Sequence, residues 1–418
     1  RPIDYNNFNG LTLSDLDYDG FLEIIVPNQG NNGQYGYTYL EIFDCFGNYY
    51  YPKNTIAVIN TNNHDRKAVT MAVVADFDND GHKEIAFGLE GGVYLWRCGS
   101  QTLSTLVPCQ GRMDCPIIAA DIDNDENLEI LYMVIKDKKG YIYAIKSDAS
   151  TVSGWDDDSH FIPIKGDDLG WEWPPYFSVG DIDNDGSIEV FIADKGRLKM
   201  WGSDGAPFGL GEINIPDLDC RYFQPVIADV DGNGDCEIII PSQNGYIYAF
   251  KSDGETVSGW PLTVADLATI PVVTDIDNDG YNEVVASSKT EIYVWHTEGE
   301  SKYNHFDRFR YNKYNNAIYE IPCSYVETPI EIMGTQIWND NRFVNRHVII
   351  NKGAHLTVKS ELKFSEEAKI IVKPGGRLIL DGCKLTSSCP DEMWQGIEVW
   401  GNKNTHQYAV NGQYSQGY

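Results

Sequence analysis

Short apolar runs recur along the first 300 residues of the chain, each cut off by a polar turn. EIIV, EIAF, EVFI, EIII and EVVA are too short for helices and read as strands. YIYAF, from Tyr246, alternates with the period of a half-buried strand. No long stretch keeps the 3.6-residue period of an amphipathic helix. Glycine is abundant, at 39 residues, so the predicted elements are strands joined by tight turns.

The runs bracket one polar segment that returns six times, Asp-x-Asp-x-Asp-Gly-x-x-Glu. Its first aspartates are Asp15, Asp76, Asp121, Asp181, Asp229 and Asp275. The gaps are 61, 45, 60, 48 and 46 residues. Each unit reads strand, acidic loop, strand, turn, strand, turn, strand. Independently, GYIYAIKSDASTVSGW (from Gly140) nearly repeats as GYIYAFKSDGETVSGW (from Gly245). Tandem four-stranded units of this length predict an all-β fold, a β-propeller with six visible blades in residues 1–300. A seven-bladed ring is favoured, its remaining blade lying before Arg1 or degenerate near 300–345. Residues 301–344 read as a closing segment and linker. From 345 to 418, short strands punctuated by KG, SE and PGG predict the start of a parallel β-solenoid or β-helix, unfinished at Tyr418.

The polar segment suits calcium (Ca2+), which takes about six to eight oxygen ligands on a short loop. Carboxylates at positions 1, 3 and 5 converge on one point. Glycine at 6 turns the chain back, the backbone carbonyl at 7 adds a ligand, and the acid at 9 closes the cage. The first set is Asp15, Asp17, Asp19, Phe21 and Glu23. The second is Asp76, Asp78, Asp80, His82 and Glu84, and the third Asp121, Asp123, Asp125, Asn127 and Glu129. The fourth is Asp181, Asp183, Asp185, Ser187 and Glu189. The fifth is Asp229, Asp231, Asn233, Asp235 and Glu237, and the sixth Asp275, Asp277, Asp279, Tyr281 and Glu283. Up to six sites are expected. The third loop has Glu126 in place of glycine, and the fifth has Asn233 at position 5 with Gly232 before it. Those two are expected to be the weakest.

Charge agrees with this reading. The loops hold 23 acids at positions 1, 3, 5 and 9, and without them the formal charge of −30 would be −7. Uncompensated, these carboxylates repel one another, so folding is expected to depend on calcium. An acidic chain with no basic run is a poor partner for nucleic acid or an anionic membrane. No run of 18 apolar residues predicts membrane insertion. The start at Arg1, in mid-pattern, reads as a segment of a longer protein. Nine cysteines form no zinc pattern; Cys109 with Cys115, and Cys383 with Cys389, lie close enough in sequence to bridge.

The six loops resemble FG-GAP/VCBS repeats of integrin α-like propellers, over roughly residues 11–296. Sites of that family usually end in Asp at position 9, whereas all six end in Glu here. NHFDRFRYNKYNN (from Asn304), GAHLTV, IIVKPGGRLILDGCKLT and WQGIEVWG are similar to parts of large surface proteins of Bacteroidota-type bacteria. The resemblance implies an extracellular or cell-surface location and export by type IX secretion.

No catalytic constellation stands out: there is no HExxH, nucleophile elbow or P-loop. One insertion gathers Trp171, Trp173 and Tyr176, whose flat apolar faces could take a sugar or a protein. Trp155 and Trp260, in the repeated SGW, are expected to pack internally. The expected function is a calcium-stabilised extracellular binding or adhesion module, its partners a glycan or a cell-surface or matrix protein, joined to other domains of its chain. A polysaccharide lyase on the same scaffold is the alternative, resting on fold analogy alone; a purely structural segment of a giant surface protein is the third reading.

Overall fold

The structure is a computed structural model. It describes residues 10–17, 21–31, 36–51, 56–60, 70–89, 92–108, 111, 113, 115–125, 127–164, 175–220, 223–265, 268–301, 304, 318–319, 326–339, 342–344, 346–365, 367–387 and 394–401. Every element among them is a strand.

Among the described residues up to Glu300, the strands form six antiparallel sheets. The second shows the plan: Val73–Ala75, Glu84–Leu89, Gly92–Arg97 and Thr102–Pro108 pair in chain order. In every sheet the acidic segment lies at the passage from the first strand to the second. The first strand is buried throughout and so is the second, the third mostly, and the fourth is largely exposed. Burial therefore falls from an inner edge to an outer one. That gradient explains why EIAF reads as continuously apolar, because neighbouring sheets cover both of its faces.

The inner strands stand side by side. Thr12–Ser14 lies against Val73–Ala75, which lies against Ile118–Ala120. Phe177–Gly180 lies against Val226–Ala228, which lies against Val272–Thr274. Hydroxyls stitch them together: Thr12 Oγ1 donates to the Ala72 carbonyl at 2.7 Å, and Ser178 Oγ donates to that of Pro225. This is the arrangement of successive propeller blades. Buried residues of the second to fifth sheets form one continuous apolar cluster.

No further antiparallel sheet forms among the described residues between 300 and 345. Among the described residues there, Ile318–Tyr319 pairs in parallel with the inner strand of the third sheet, Ile318 beside Ala119 and Tyr319 beside Ala120. Val326–Ile332, Thr335–Trp338 and Arg342–Val344 instead belong to the parallel region that follows. That region thus begins at Val326, ahead of the boundary expected at 345. Pro329 hid this strand from the sequence pattern. It sits on a sheet edge, where proline is tolerated, and the register slips between Val326 and Ile330 around it.

Successive strands of the parallel region go to three sheets in rotation. Ile330 pairs with Val348, which pairs with Ile370, which pairs with Ile397. Gln336, Leu356 and Leu378 align likewise, as do Arg342, Leu362 and Leu385. Val348, Leu356, Leu362 and Phe364 belong to a buried cluster of the region's own, with Trp394 stacked on Phe364 at 4.2 Å between ring centroids.

Trp155 is fully buried, its indole N–H donates to the Ser203 carbonyl at 2.7 Å, and its ring lies on that of His160 at 4.4 Å. Trp260 is partly buried against the cluster of the fifth and sixth sheets. Trp155→Ala is expected to cost about 3–5 kcal/mol through the cavity it leaves. Urea unfolding of the two proteins measures this; a loss under ~1 kcal/mol would mean the site collapses around the smaller side chain.

Candidate metal centre

One hydrogen bond is common to all six loops. The glutamate at position 9 opens the second strand in five sheets and is its third residue in the sixth, and its Oε2 accepts the backbone N–H of position 2. The donors are Leu16 (2.8 Å to Glu23), Phe77 (2.9 Å to Glu84) and Ile122 (3.0 Å to Glu129). The others are Ile182 (3.0 Å to Glu189), Val230 (2.9 Å to Glu237) and Ile276 (3.0 Å to Glu283). One oxygen of each glutamate thus closes the loop across its base. The longer arm of Glu supplies the reach for this bond.

Position 1 braces the turn from the other side. Asp76, Asp181 and Asp275 each accept two N–H groups, from position 5 at 3.0–3.1 Å and from the glycine at position 6 at 2.8–3.0 Å. The carboxylate of position 5 accepts the N–H of position 7, as Asp185 does from Ser187 at 2.7 Å. Two residues of the turn take the left-handed conformation. Gly81, Gly186 and Gly280 do so as expected, with φ of 85–95°. Asn79, Asn124, Asn184 and Asn278, at position 4, do so as well, at 54–62°. Asparagine tolerates that region better than most side chains. Its recurrence at position 4 was a visible signal for it.

The bracing draws the acids together. Ligand oxygens of Asp15, Asp17 and Glu23 lie within 4.8 Å of one another, as do those of Asp76, Asp78 and Glu84 and those of Asp181, Asp183 and Glu189. Asp121, Asp123 and Glu129 form a like group, whereas Asp279 and Glu283 converge with His296, which brings a ring nitrogen in place of a third carboxylate. An all-oxygen donor set of this span fits a hard divalent ion such as Ca2+. In the fourth loop Asp181 is fully buried and Glu189 nearly so. Asp19 lies outside the described residues.

Residues 181–240 match the FG-GAP-like repeat. This repeat window opens on Asp181 and holds the fourth and fifth loops. No curated protein sequence matches the chain. Among solved structures, the chain is similar to BBS1N in complex with ARL6DN, at 13% identity and a TM-score of 0.40, over 69% of this chain and 78% of that one. It is similar also to the Dos1 propeller, at 9% identity and a TM-score of 0.43, over 69% and 66%.

The fifth loop is built differently within the repeat. Asp229 Oδ1 accepts the N–H of Gly232 at 2.8 Å, and Asp229 Oδ2 accepts that of Glu300 at 3.2 Å. Asn233 accepts the N–H of Asp235 at 2.7 Å. Gly232 and Gly234 hold the left-handed positions, at 77° and 86°.

Sequence reasoning missed the residue facing each position-9 glutamate on the third strand. Glu84 pairs with Arg97, and Glu283 with His296. The registers Ile130↔Ile145 and Ile238↔Phe250 set Lys146 across from Glu129 and Lys251 across from Glu237. In the first and fourth sheets, Ile24↔Phe43 and Val190↔Trp201 set Asp44 and Gly202 there. Asp44 turns to its own hairpin, accepting the N–H groups of Phe46 and Asn48. The facing residue follows the glutamate by 13 positions in three sheets and by 14, 17 and 21 in the others, because hairpin lengths differ. No fixed spacing could reveal it.

The expected aromatic site is mostly out of view. Trp171 and Trp173 lie outside the described residues, and Tyr176 packs half-buried against the main core. A different cleft is described, with Tyr143 as its half-exposed aromatic. This cleft of about 580 Å³ is lined by Pro108, Tyr132, Lys136, Tyr143 and Trp155, among others, with Tyr132 and Tyr143 stacked at 5.5 Å. There Lys136 Nζ donates to Asp158 at 3.0 Å and to Tyr143 at 3.2 Å, and the Tyr143 hydroxyl donates to Asp158. Burial and the Asp158 bond push the Tyr143 phenol up to about 12. It is poorly suited to act as a base.

Burial, aided by nearby aspartates, pushes Glu84 up to about 7, Glu129 and Glu237 to about 8, and Glu189 to about 10. Burial and Asp185 hold Asp181 well above the usual carboxylate range. A glutamate whose pKa is raised by folding stabilises the fold below its unfolded value and loses that contribution as pH climbs through the folded one. The calcium-free chain is therefore expected to melt at falling temperatures from about pH 5 to about pH 10. Calcium, which needs the ionised carboxylates, is expected to cancel or reverse that slope. Stepped-pH melting in chelator and in calcium checks it; a flat chelator profile would contradict the raised values.

Proposed function

We propose that the chain is a calcium-stabilised extracellular binding module. The observation that carries this is the recurrent convergence of three carboxylates on a loop held by the same backbone bonds, in sheet after sheet. Asp181, Asp183 and Glu189 would hold one ion; Asp76, Asp78 and Glu84 a second; Asp15, Asp17 and Glu23, with Asp19, a third. Bound calcium would supply the charge that lets these converging acids ionise together. The FG-GAP-like match over residues 181–240 supports the same reading. The proposal includes closure of the inner strands into a propeller ring, and it treats the parallel region from Val326 as coils of a solenoid acting as a spacer. It assigns the chain no catalysis of its own. It also adopts the extracellular placement, where free calcium is high enough to fill such sites.

Calorimetric titration of the decalcified chain, with melting in parallel, tests the metal. More than one site and a raised melting temperature are expected. At a free calcium 100-fold above the dissociation constant, each filled site adds about 2.7 kcal/mol. No heat and no shift would reduce the loops to plain turns.

For the partner, the reading favours a glycan in the cleft between the second and third sheets. Tyr143, half-buried and stacked on the buried ring of Tyr132, lies beside Lys136 and Asp158 and pairs an apolar face with a polar rim. Glycan-array binding in calcium, compared with Tyr143→Ala, is the check. The variant is expected to lose roughly tenfold or more in affinity, as for a central aromatic contact. Equal binding by both proteins would remove the cleft from the proposal.

A further inference from the structure

The third and fifth loops do not fit a calcium ion as the others do, because a lysine reaches each of them. Lys146 Nζ lies 2.8 Å from Asp123 Oδ2, is in contact with Asp125 Oδ2, and lies 3.4 Å from Glu129 Oε1. Glu129 is fully buried, and its Oε1 has no hydrogen-bond partner; the ammonium is the charge that faces it. Lys251 Nζ makes the same contact with Asp231 Oδ2 in the fifth loop. Each lysine springs from the position across from the glutamate, so its stem runs along the sheet and its head enters the loop.

We propose that Lys146 and Lys251 are built-in cations that replace calcium in the third and fifth loops, leaving metal dependence to the remaining loops. This rests on the calcium reading of those loops.

Two features coincide in these two sheets. The lysine is the first. The second is a lost loop element: glycine at position 6 is Glu126 in the third loop, and the position-5 acid is Asn233 in the fifth. The fourth loop shows neither: its facing residue is Gly202, and its acids and glycine are complete. An ammonium group is a compact point charge with three donors, which matches the three carboxylates around Lys146; Lys251 meets one, Asp231. A divalent ion in the same space would sit within a few ångströms of that ammonium and be repelled by it. Arg97, by contrast, faces the second loop without filling it. Its Nε is 3.4 Å from Asp78, while its other nitrogens bond Ser104 and the Ser147 carbonyl.

The test uses the whole chain. Crystals soaked in terbium, a calcium substitute with strong anomalous scattering, would be mapped for ions. Lys146→Met and Lys251→Met would be melted in chelator and in calcium. Lys359→Met, which removes a surface pair with Asp381 at 3.2 Å, serves as control. The expected result is ions in the fourth loop and others but none in the third and fifth. Each loop variant should melt several degrees below wild type in chelator, and Lys359→Met should not. An ion in the third or fifth loop of the wild type, with its lysine displaced, would overturn the proposal. So would chelator melts of Lys146→Met and Lys251→Met equal to the control. If no loop takes an ion, the calcium reading fails, and the chelator melts alone decide the lysines. If a variant does not fold, the wild-type ion map decides.

Discussion

The bond from each position-9 glutamate to the N–H of position 2 governs much of what surrounds it. It fixes the mouth of the loop, and it brings a buried carboxylate to the start of the second strand. The bond uses one oxygen and leaves the other for a neighbour: aspartates in the fourth loop, Lys146 in the third and His296 in the sixth. A fold that repeats this six times accumulates negative charge at the base of every sheet. Repulsion among these groups must be answered by protons, by metal or by a basic side chain. The chain holds the means for all three. Raised carboxylate pKa values mark the first, the convergent oxygens of the fourth loop fit the second, and Lys146 is the third.

Much of this was legible in the order of residues. The six loops, the strands on either side of them and the parallel strands after residue 345 follow from short apolar runs cut by turns. The reason is local. A loop motif and a two-residue alternation are properties of neighbours in sequence, and hairpins join neighbours. The same locality explains Trp155, whose repeated SGW context marks a packing position.

What escaped the sequence was set by registers between strands. Lys146 and Lys251 head the turns KSDAS and KSDGE, which read as surface hairpins until pairing places them opposite Glu129 and Glu237. The strand Val326–Ile332 was missed for a related reason: Pro329 breaks the pattern of a central strand, and only position on an edge makes it acceptable. The stacked pair of Tyr132 and Tyr143 likewise depends on a cross-strand register, whereas Trp171 and Trp173 drew attention because they are close in sequence.

The pairing of Ile318–Tyr319 with Ile118–Ala120 bears on folding kinetics. Hairpins close over a few residues, so each sheet can form early and independently. Ile318 and Ala119 are 199 positions apart, and loop-closure entropy delays such contacts. The inner edge of the third sheet therefore stays open until nearly three hundred residues have been organised around it. During synthesis it is an unpaired strand edge of the kind that recruits other chains. The short segment that covers it arrives only after all six sheets have left the ribosome.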